Sequence, residues 1–191
     1  ELMGFSMPQL CFEENDRLDI TEYTQAAMVT ASIAMMRVLE ENGIKPDVAA
    51  GLSLGEYCAL AAAGVMSDED AIRTVRQRGI LMQEAVPVGE GAMAAILALD
   101  ASAIEEVTGA MEGVWIANYN CPGQIVISGE KAAVEEACEK LKAAGAKRAV
   151  MLNVSGPFHS GMLADAGEKL GEVLSQVELH EPQIPYVANV T

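Results

Sequence analysis

The chain has 191 residues, is 51% hydrophobic and 4% aromatic, and carries a formal net charge of −16. That length supports one sizeable core with a small second lobe, and the acidity argues against nucleic acid, whose phosphates call for a basic surface. No stretch has the unbroken apolar length of a membrane span. The four cysteines form no C-x-x-C pair and the two histidines lie 21 residues apart, which predicts reduced, buried thiols and no metal site.

Residues 24–42 carry Ala27, Met28, Ala31, Ile33, Ala34, Met35 and Val38 nearly all round a helix, the pattern of a buried one. Asn42-Gly43 supplies its left-handed cap. Pro46 and Asp47 lead into a short buried strand, and Gly51-Leu52-Ser53-Leu54-Gly55 then fits G-x-S-x-G, a strand–turn–helix elbow. Glycine is expected on both sides of Ser53 because a side chain at either position would crowd so tight a turn. The turn lifts the serine oxygen clear of the sheet, and the helix over 55–63 aims its N-terminus at charge developing there. Ser67 caps the next helix, which runs to about 84, with Asp70 completing a loose capping box.

From 91 to 154 the rhythm changes. Strands are expected over 92–99, 114–119, 124–128 and 147–153, with helices over 101–111 and 130–144 and a turn at Asn120-Cys121-Pro122-Gly123. The order βαββαβ is ferredoxin-like. A helix over 161–177 and a strand over 184–190 return to the larger domain. The expected fold class is α/β. A hydrolase-like parallel-sheet core occupies 1–90 and 155–191, and a ferredoxin-like subdomain is inserted at 91–154. Both ends of the core read as cut, with further sequence expected on either side.

A serine hydroxyl is a weak nucleophile and requires a base. His159 stands in a loop after a strand and before a helix, where catalytic groups are held. His180 stands in a charged stretch before Pro182 and reads as a surface residue. A turn histidine satisfied by backbone is the competing reading of His159. Arg78 falls on a helix segment apolar enough to be half-buried, and its fork suits a carboxylate. Arg73 and Arg76 read as solvated. Lys140, Lys142, Lys147 and Arg148 form the dense basic cluster that an anionic partner would need.

Several stretches together carry a resemblance: Tyr23-Thr24-Gln25-Ala26-Ala27, Gly51-Leu52-Ser53-Leu54-Gly55-Glu56-Tyr57, Arg78-Gly79 with Met82-Gln83-Glu84-Ala85-Val86-Pro87, Asn118-Tyr119-Asn120-Cys121-Pro122-Gly123, and Pro157-Phe158-His159-Ser160. In this order the chain resembles the malonyl-CoA:acyl carrier protein transacylases of bacterial fatty acid synthesis. The resemblance implies Ser53 as the acylated nucleophile, His159 as its base without an acidic third member, and Arg78 as the binder of the malonyl carboxylate. It implies the Leu54 N–H as one oxyanion donor, and Met82 and Asn120 near the acyl pocket. Malonyl-CoA and acyl carrier protein are the implied partners, with no cofactor, no metal, no nucleic acid and no membrane. A monomer in the cytoplasm is expected. Phe158, bulky beside the base, is expected to disfavour branched acyl groups.

Three departures stand out. The family usually has His where this chain has Leu52. The Gly-Gln-Gly loop that supplies a second oxyanion donor is expected upstream of residue 1, and the segment whose backbone carbonyl orients the histidine is expected downstream of 191. Three other readings share parts of the pattern. One is a serine esterase, which uses the elbow but has no need of Arg78. Another is the acyltransferase domain of a polyketide synthase, and the third is a non-catalytic carrier-protein binding module.

Overall fold

In a computed structural model describing residues 3–87, 89–154 and 156–190, the chain divides into two units, Glu1–Leu81 with Lys169–Thr191, and Met82–Glu168. The extreme residues on which the reading of cut ends rests, Glu1, Leu2 and Thr191, and Ser155 at the head of the His159 loop, lie outside the described residues. No helix among the described residues is long and apolar enough to cross a membrane.

The first unit is built on helices around a short parallel pair of strands. A one-and-a-half-turn helix α1 (Met7–Phe12), not anticipated from the sequence, is capped by Ser6. Helix α2 (Thr21–Glu41) ends at Asn42 with Gly43 at φ +80°, the left-handed cap that Asn42-Gly43 announced. Strand β1 (Ala49–Ala50) leads through the Ser53 turn into α3 (Gly55–Ala62), and α4 (Asp68–Ala85) follows. Ser67 Oγ accepts from the Asp70 N–H at 3.0 Å and donates to the Asp70 carboxylate at 2.7 Å, so Ser67 caps α4 as expected while Asp70 meets the cap's hydroxyl, not the backbone N–H that a capping box would use. Strand β6 (Tyr186–Val187) pairs parallel with β1, Ala49 opposite Tyr186 and Ala50 opposite Val187.

Helix α2 is not buried all round. Val29 and Ile33, at helical spacing, pack with Ala61, Met66, Ala71 and Val75, whereas Met28, Met35 and Val38 are more than half exposed. A helix offers one stripe to each set of neighbours; Thr21, Gln25, Ala26 and Ala27 are also buried near the start of α2, while Met28, Met35 and Val38 face outward. Helix α4 approaches the start of α2 closely: a Cβ on Gly79 would stand 2.6 Å from Glu22 Cα. Arg76 was expected in solvent but lies in this junction, ion-paired with Glu22 at 2.5 Å and stacked over the rings of Tyr23 and Phe5 at 4.6 and 5.5 Å. Arg73 is exposed beside Glu69, as expected of a solvated arginine.

The second unit contains an antiparallel sheet of order β3-β4-β2-β5, made of β2 (Gly91–Leu97), β3 (Val114–Cys121), β4 (Gln124–Glu130) and β5 (Arg148–Met151). Helices α5 (Ala101–Gly109) and α6 (Lys131–Ala143) connect them in the order β2-α5-β3-β4-α6-β5. Val134, Ala137, Cys138 and Leu141 recur at helical spacing on α6 and pack with Ala94, Ile96, Ile125 and Ile127 of the sheet. Of the four thiols only Cys138 is buried; Cys121 is exposed, and Cys11 and Cys58 are half-buried. The turn over 120–123 is tighter than read, because Asn120 and Cys121 belong to β3 and only Pro122 and Gly123 remain outside the strands. The helix expected over 161–177 begins as a 3₁₀ turn, Gly161–Leu163, and continues as α7 (Ala164–Leu174).

The contact at Gly79 sets the sign of a simple test. Alanine normally stabilises a helix interior by about 1 kcal/mol over glycine, and Gly167 on α7, with nothing near its missing Cβ, should show this gain as Gly167→Ala. Gly79→Ala should instead destabilise by about 1–3 kcal/mol through overpacking. Denaturant unfolding of both variants checks it; a gain at residue 79 would contradict the close approach.

Candidate active site

Parallel strands leave a sheet on the same edge, and loops beyond their carboxyl ends are where open α/β sheets hold their sites. Beyond Ala50 lies the Ser53 turn, and beyond Val187 lies Asn189. Ser53 has φ +51°, a left-handed conformation that costs a non-glycine residue about 1–3 kcal/mol and persists only where its surroundings fix it. The Leu52 carbonyl accepts from the Gly55 N–H at 2.9 Å, and the Ser53 carbonyl from the Glu56 N–H at 3.1 Å. Gly51 is required sterically, since its Cβ would lie 2.0 Å from the Gly55 carbonyl oxygen. Gly55 is not: a Cβ there meets nothing within 4 Å, so the crowding expected on both sides exists on one. The Leu52 side chain is exposed.

Arg78 converges on this turn from α4. One guanidinium nitrogen donates to Ser53 Oγ at 3.1 Å and the other to Gln25 Oε1 at 2.6 Å. Burial pushes the guanidinium down from its ordinary value, and the Tyr57 phenol offsets this in part; an arginine nonetheless stays charged at neutral pH. The phenol in turn is pushed up by burial and drawn back by Arg78. Gln25 was part of a matched stretch but was given no role. The signal was available, because a lone amide on the buried face of an apolar helix needs a partner. Being neutral, Gln25 fixes the fork without cancelling its charge, which a glutamate would do.

Leu54 directs its side chain to the apolar cluster of this unit. Its N–H opens the first turn of α3, where amides have no intrahelical acceptor. Met82 is buried at 9% exposure, one turn beyond Arg78 on α4. Asn120 is exposed on β3 at a register shift between Tyr119 and Cys121, an irregularity that re-aims a side chain.

His159 belongs to the second unit and is the only residue besides Ser53 and Ala98 with positive φ among the described non-glycine residues, at +58°. Its loop is clamped on both sides. Pro157 is fully buried where a Cβ on Gly91 would stand 2.4 Å from its ring, and Gly161 lies against the Trp115 indole, its absent Cβ 2.7 Å from Cζ2. Ser160 Oγ donates to the Pro157 carbonyl at 2.7 Å. His159 itself is exposed. His180 is at the surface, 4.0 Å from Glu178. In the basic cluster, Lys140 and Lys142 each lie 2.9 Å from a glutamate of their own helix, Glu136 and Glu139. Lys147 and Arg148, both exposed, have no ion pair among the described residues.

A profile of the acyl transferase domain family matches residues 1–191. The chain is 50% identical over 196 residues to a malonyl CoA-acyl carrier protein transacylase of Bacillus subtilis, covering all of this chain and 62% of the relative. It is 44% identical to one of Staphylococcus aureus, covering 93% and 58%. An acyl carrier protein S-malonyltransferase structure from Vibrio cholerae superposes with a TM-score of 0.94 at 43% identity, covering 99% of this chain and 63% of that one. A malonyl-transacylase solved in complex with its type II PKS acyl-carrier protein gives 0.95 at 46%, covering 99% and 63%. The chain thus spans about three fifths of the length of these relatives.

The mutual influence of Arg78 and Tyr57 gives a test that needs no substrate. Replacing the cation in Arg78→Met removes what stabilises the phenolate, so the Tyr57 phenol should titrate at higher pH than in the parent protein. Phenolate absorbance, with Tyr57→Phe as the difference reference, measures it; an unchanged or lower titration would mean that the two side chains do not share a site.

Proposed function

The chain belongs to the acyl transferase domain family, and on that premise we propose that it carries the nucleophile of an enzyme that moves a malonyl group from malonyl-CoA to the phosphopantetheine thiol of acyl carrier protein, supplying fatty acid synthesis. The observation that carries this reading is Arg78, a half-buried cation hydrogen-bonded to Ser53 Oγ. An esterase of neutral acyl groups has no use for a guanidinium at its nucleophile. A transferase of a carboxylated acyl group does, because an acetyl group would leave the fork without its anionic partner.

In the proposed reaction His159 takes the proton of Ser53, and Oγ attacks the thioester carbonyl. The oxyanion is stabilised by backbone amides, Leu54 N–H among them, and the C–S bond breaks as CoA leaves with the proton. The thiol of the carrier then attacks the malonyl-serine ester and restores Ser53, a ping-pong course. Each half-reaction trades one acyl bond for another, so no cofactor is needed. Met82 and Asn120 contribute to the acyl pocket, and Phe158 disfavours branched groups. Lys147 and Arg148 are the proposed contacts for the acidic carrier. The strand order β3-β4-β2-β5, with α5 joining β2 to β3 and α6 joining β4 to β5, supports a ferredoxin-like subdomain over 91–154; the proposed remainder is a hydrolase-like core over 1–90 and 155–191. The proposed compartment is the cytoplasm.

Radiolabelled malonyl-CoA should label the full-length protein and fail to label Ser53→Ala. Arg78→Ala should lower kcat/KM for malonyl-CoA by about 10- to 100-fold, as expected for a lost charge-assisted pair, with a much smaller effect on acetyl-CoA. Label retained in Ser53→Ala, or an equal loss for both thioesters in Arg78→Ala, would overturn the reading.

A further inference from the structure

We infer that Asn189 is a positioning residue for the Ser53 turn, joining the strand β6 side of the unit to both ends of the elbow. The inference rests on Ser53 being the nucleophile and adds a residue that neither the G-x-S-x-G pattern nor the matched stretches contain. Asn189 Oδ1 accepts from the Ser53 N–H, while the Asn189 N–H donates to Glu56 Oε1 at 3.0 Å. The amide orientation follows from the partner, since a backbone N–H can only donate.

The Leu52–Ser53 peptide is thereby held at both edges: its carbonyl by the Gly55 N–H at 2.9 Å, its N–H by Asn189. Rotation of that peptide is the motion by which Ser53 would leave φ +51°, and it would carry Oγ away from Arg78. The two amides flanking the nucleophile also become distinct. The Ser53 N–H is engaged by Asn189, so the Leu54 N–H at the mouth of α3 is the one left to meet an oxyanion. Glu56 completes the arrangement from the first turn of α3, where its charge is favoured by the helix dipole, and fixes the Asn189 backbone. The topology makes the meeting possible, because β1 and β6 are parallel with Ala50 opposite Val187. Asn189, two residues beyond Val187, emerges beside Ser53, three beyond Ala50. Asn189 is exposed, so its effect is directional: water can solvate the Ser53 N–H but cannot aim it.

The test uses the full-length enzyme, with malonyl-CoA as donor and carrier protein as acceptor. Asn189→Leu should lower kcat about tenfold, the order expected for a misaligned nucleophile, while KM for malonyl-CoA stays within about threefold. Asn189→Asp, which keeps the acceptor, should recover most of the rate. Glu56→Ala cuts the other bond without touching Asn189's side chain and should give a smaller, kcat-selective loss that Glu56→Gln restores. Rates are normalised to the labelled fraction of active sites, so that a variant that merely unfolds does not mimic the effect. Wild-type kcat in Asn189→Leu, or equal losses in the Leu and Asp variants, would overturn the inference while leaving the Ser53 reading intact; label that persists in Ser53→Ala would remove the reading itself.

Discussion

A guanidinium removed from water must find acceptors, and in the first unit the fork of Arg78 finds them in the Gln25 amide and the Ser53 hydroxyl. The rest of the unit is arranged so that these three side chains can meet. Gly79 lets α4 touch the first turn of α2, which brings Gln25 within reach. The Arg76–Glu22 pair, wrapped by Tyr23 and Phe5, fastens the same junction. The Ser53 turn brings the hydroxyl from the other side. The choice of a neutral amide matters: the fork is oriented, yet its charge is not cancelled.

The same logic extends to the backbone. Ser53 and His159 both occupy left-handed conformations that their residue types disfavour, and in each case close contacts account for it. Around Ser53 these are the Gly51 turn, the amide bonds from Gly55 to the Leu52 carbonyl and from Glu56 to the Ser53 carbonyl, and the acceptor on Asn189. Around His159 they are the Pro157–Gly91 and Gly161–Trp115 contacts. Strain held in this way belongs to sites where a side chain must be presented rather than packed. The glycines that mattered most are those that let another group come close.

Much of this was legible in the sequence because it is local. Turn chemistry and period gave the helices and strands to within a few residues over most of the chain, and G-x-S-x-G announced the elbow. What could not be read depends on partners distant in sequence. Arg76 looked like any solvated helix arginine because nothing nearby reveals Glu22, 54 residues away. Helix α2 looked buried throughout because composition does not say how many neighbours a helix has. Asn189 lies 136 residues from the serine it holds, and only the parallel pairing of two short strands brings it there. Gln25 was readable in part: a buried amide demands a partner, but its identity came from the fold.

The central claim is that a cation held at Ser53 selects a carboxylated acyl group. The most direct measurement is the mass of the Ser53-bearing peptide after the full-length protein has met equal amounts of malonyl-CoA and acetyl-CoA. The account predicts a malonyl adduct on Ser53 with little acetyl beside it. Comparable acetyl and malonyl adducts, or an adduct on another residue, would contradict it.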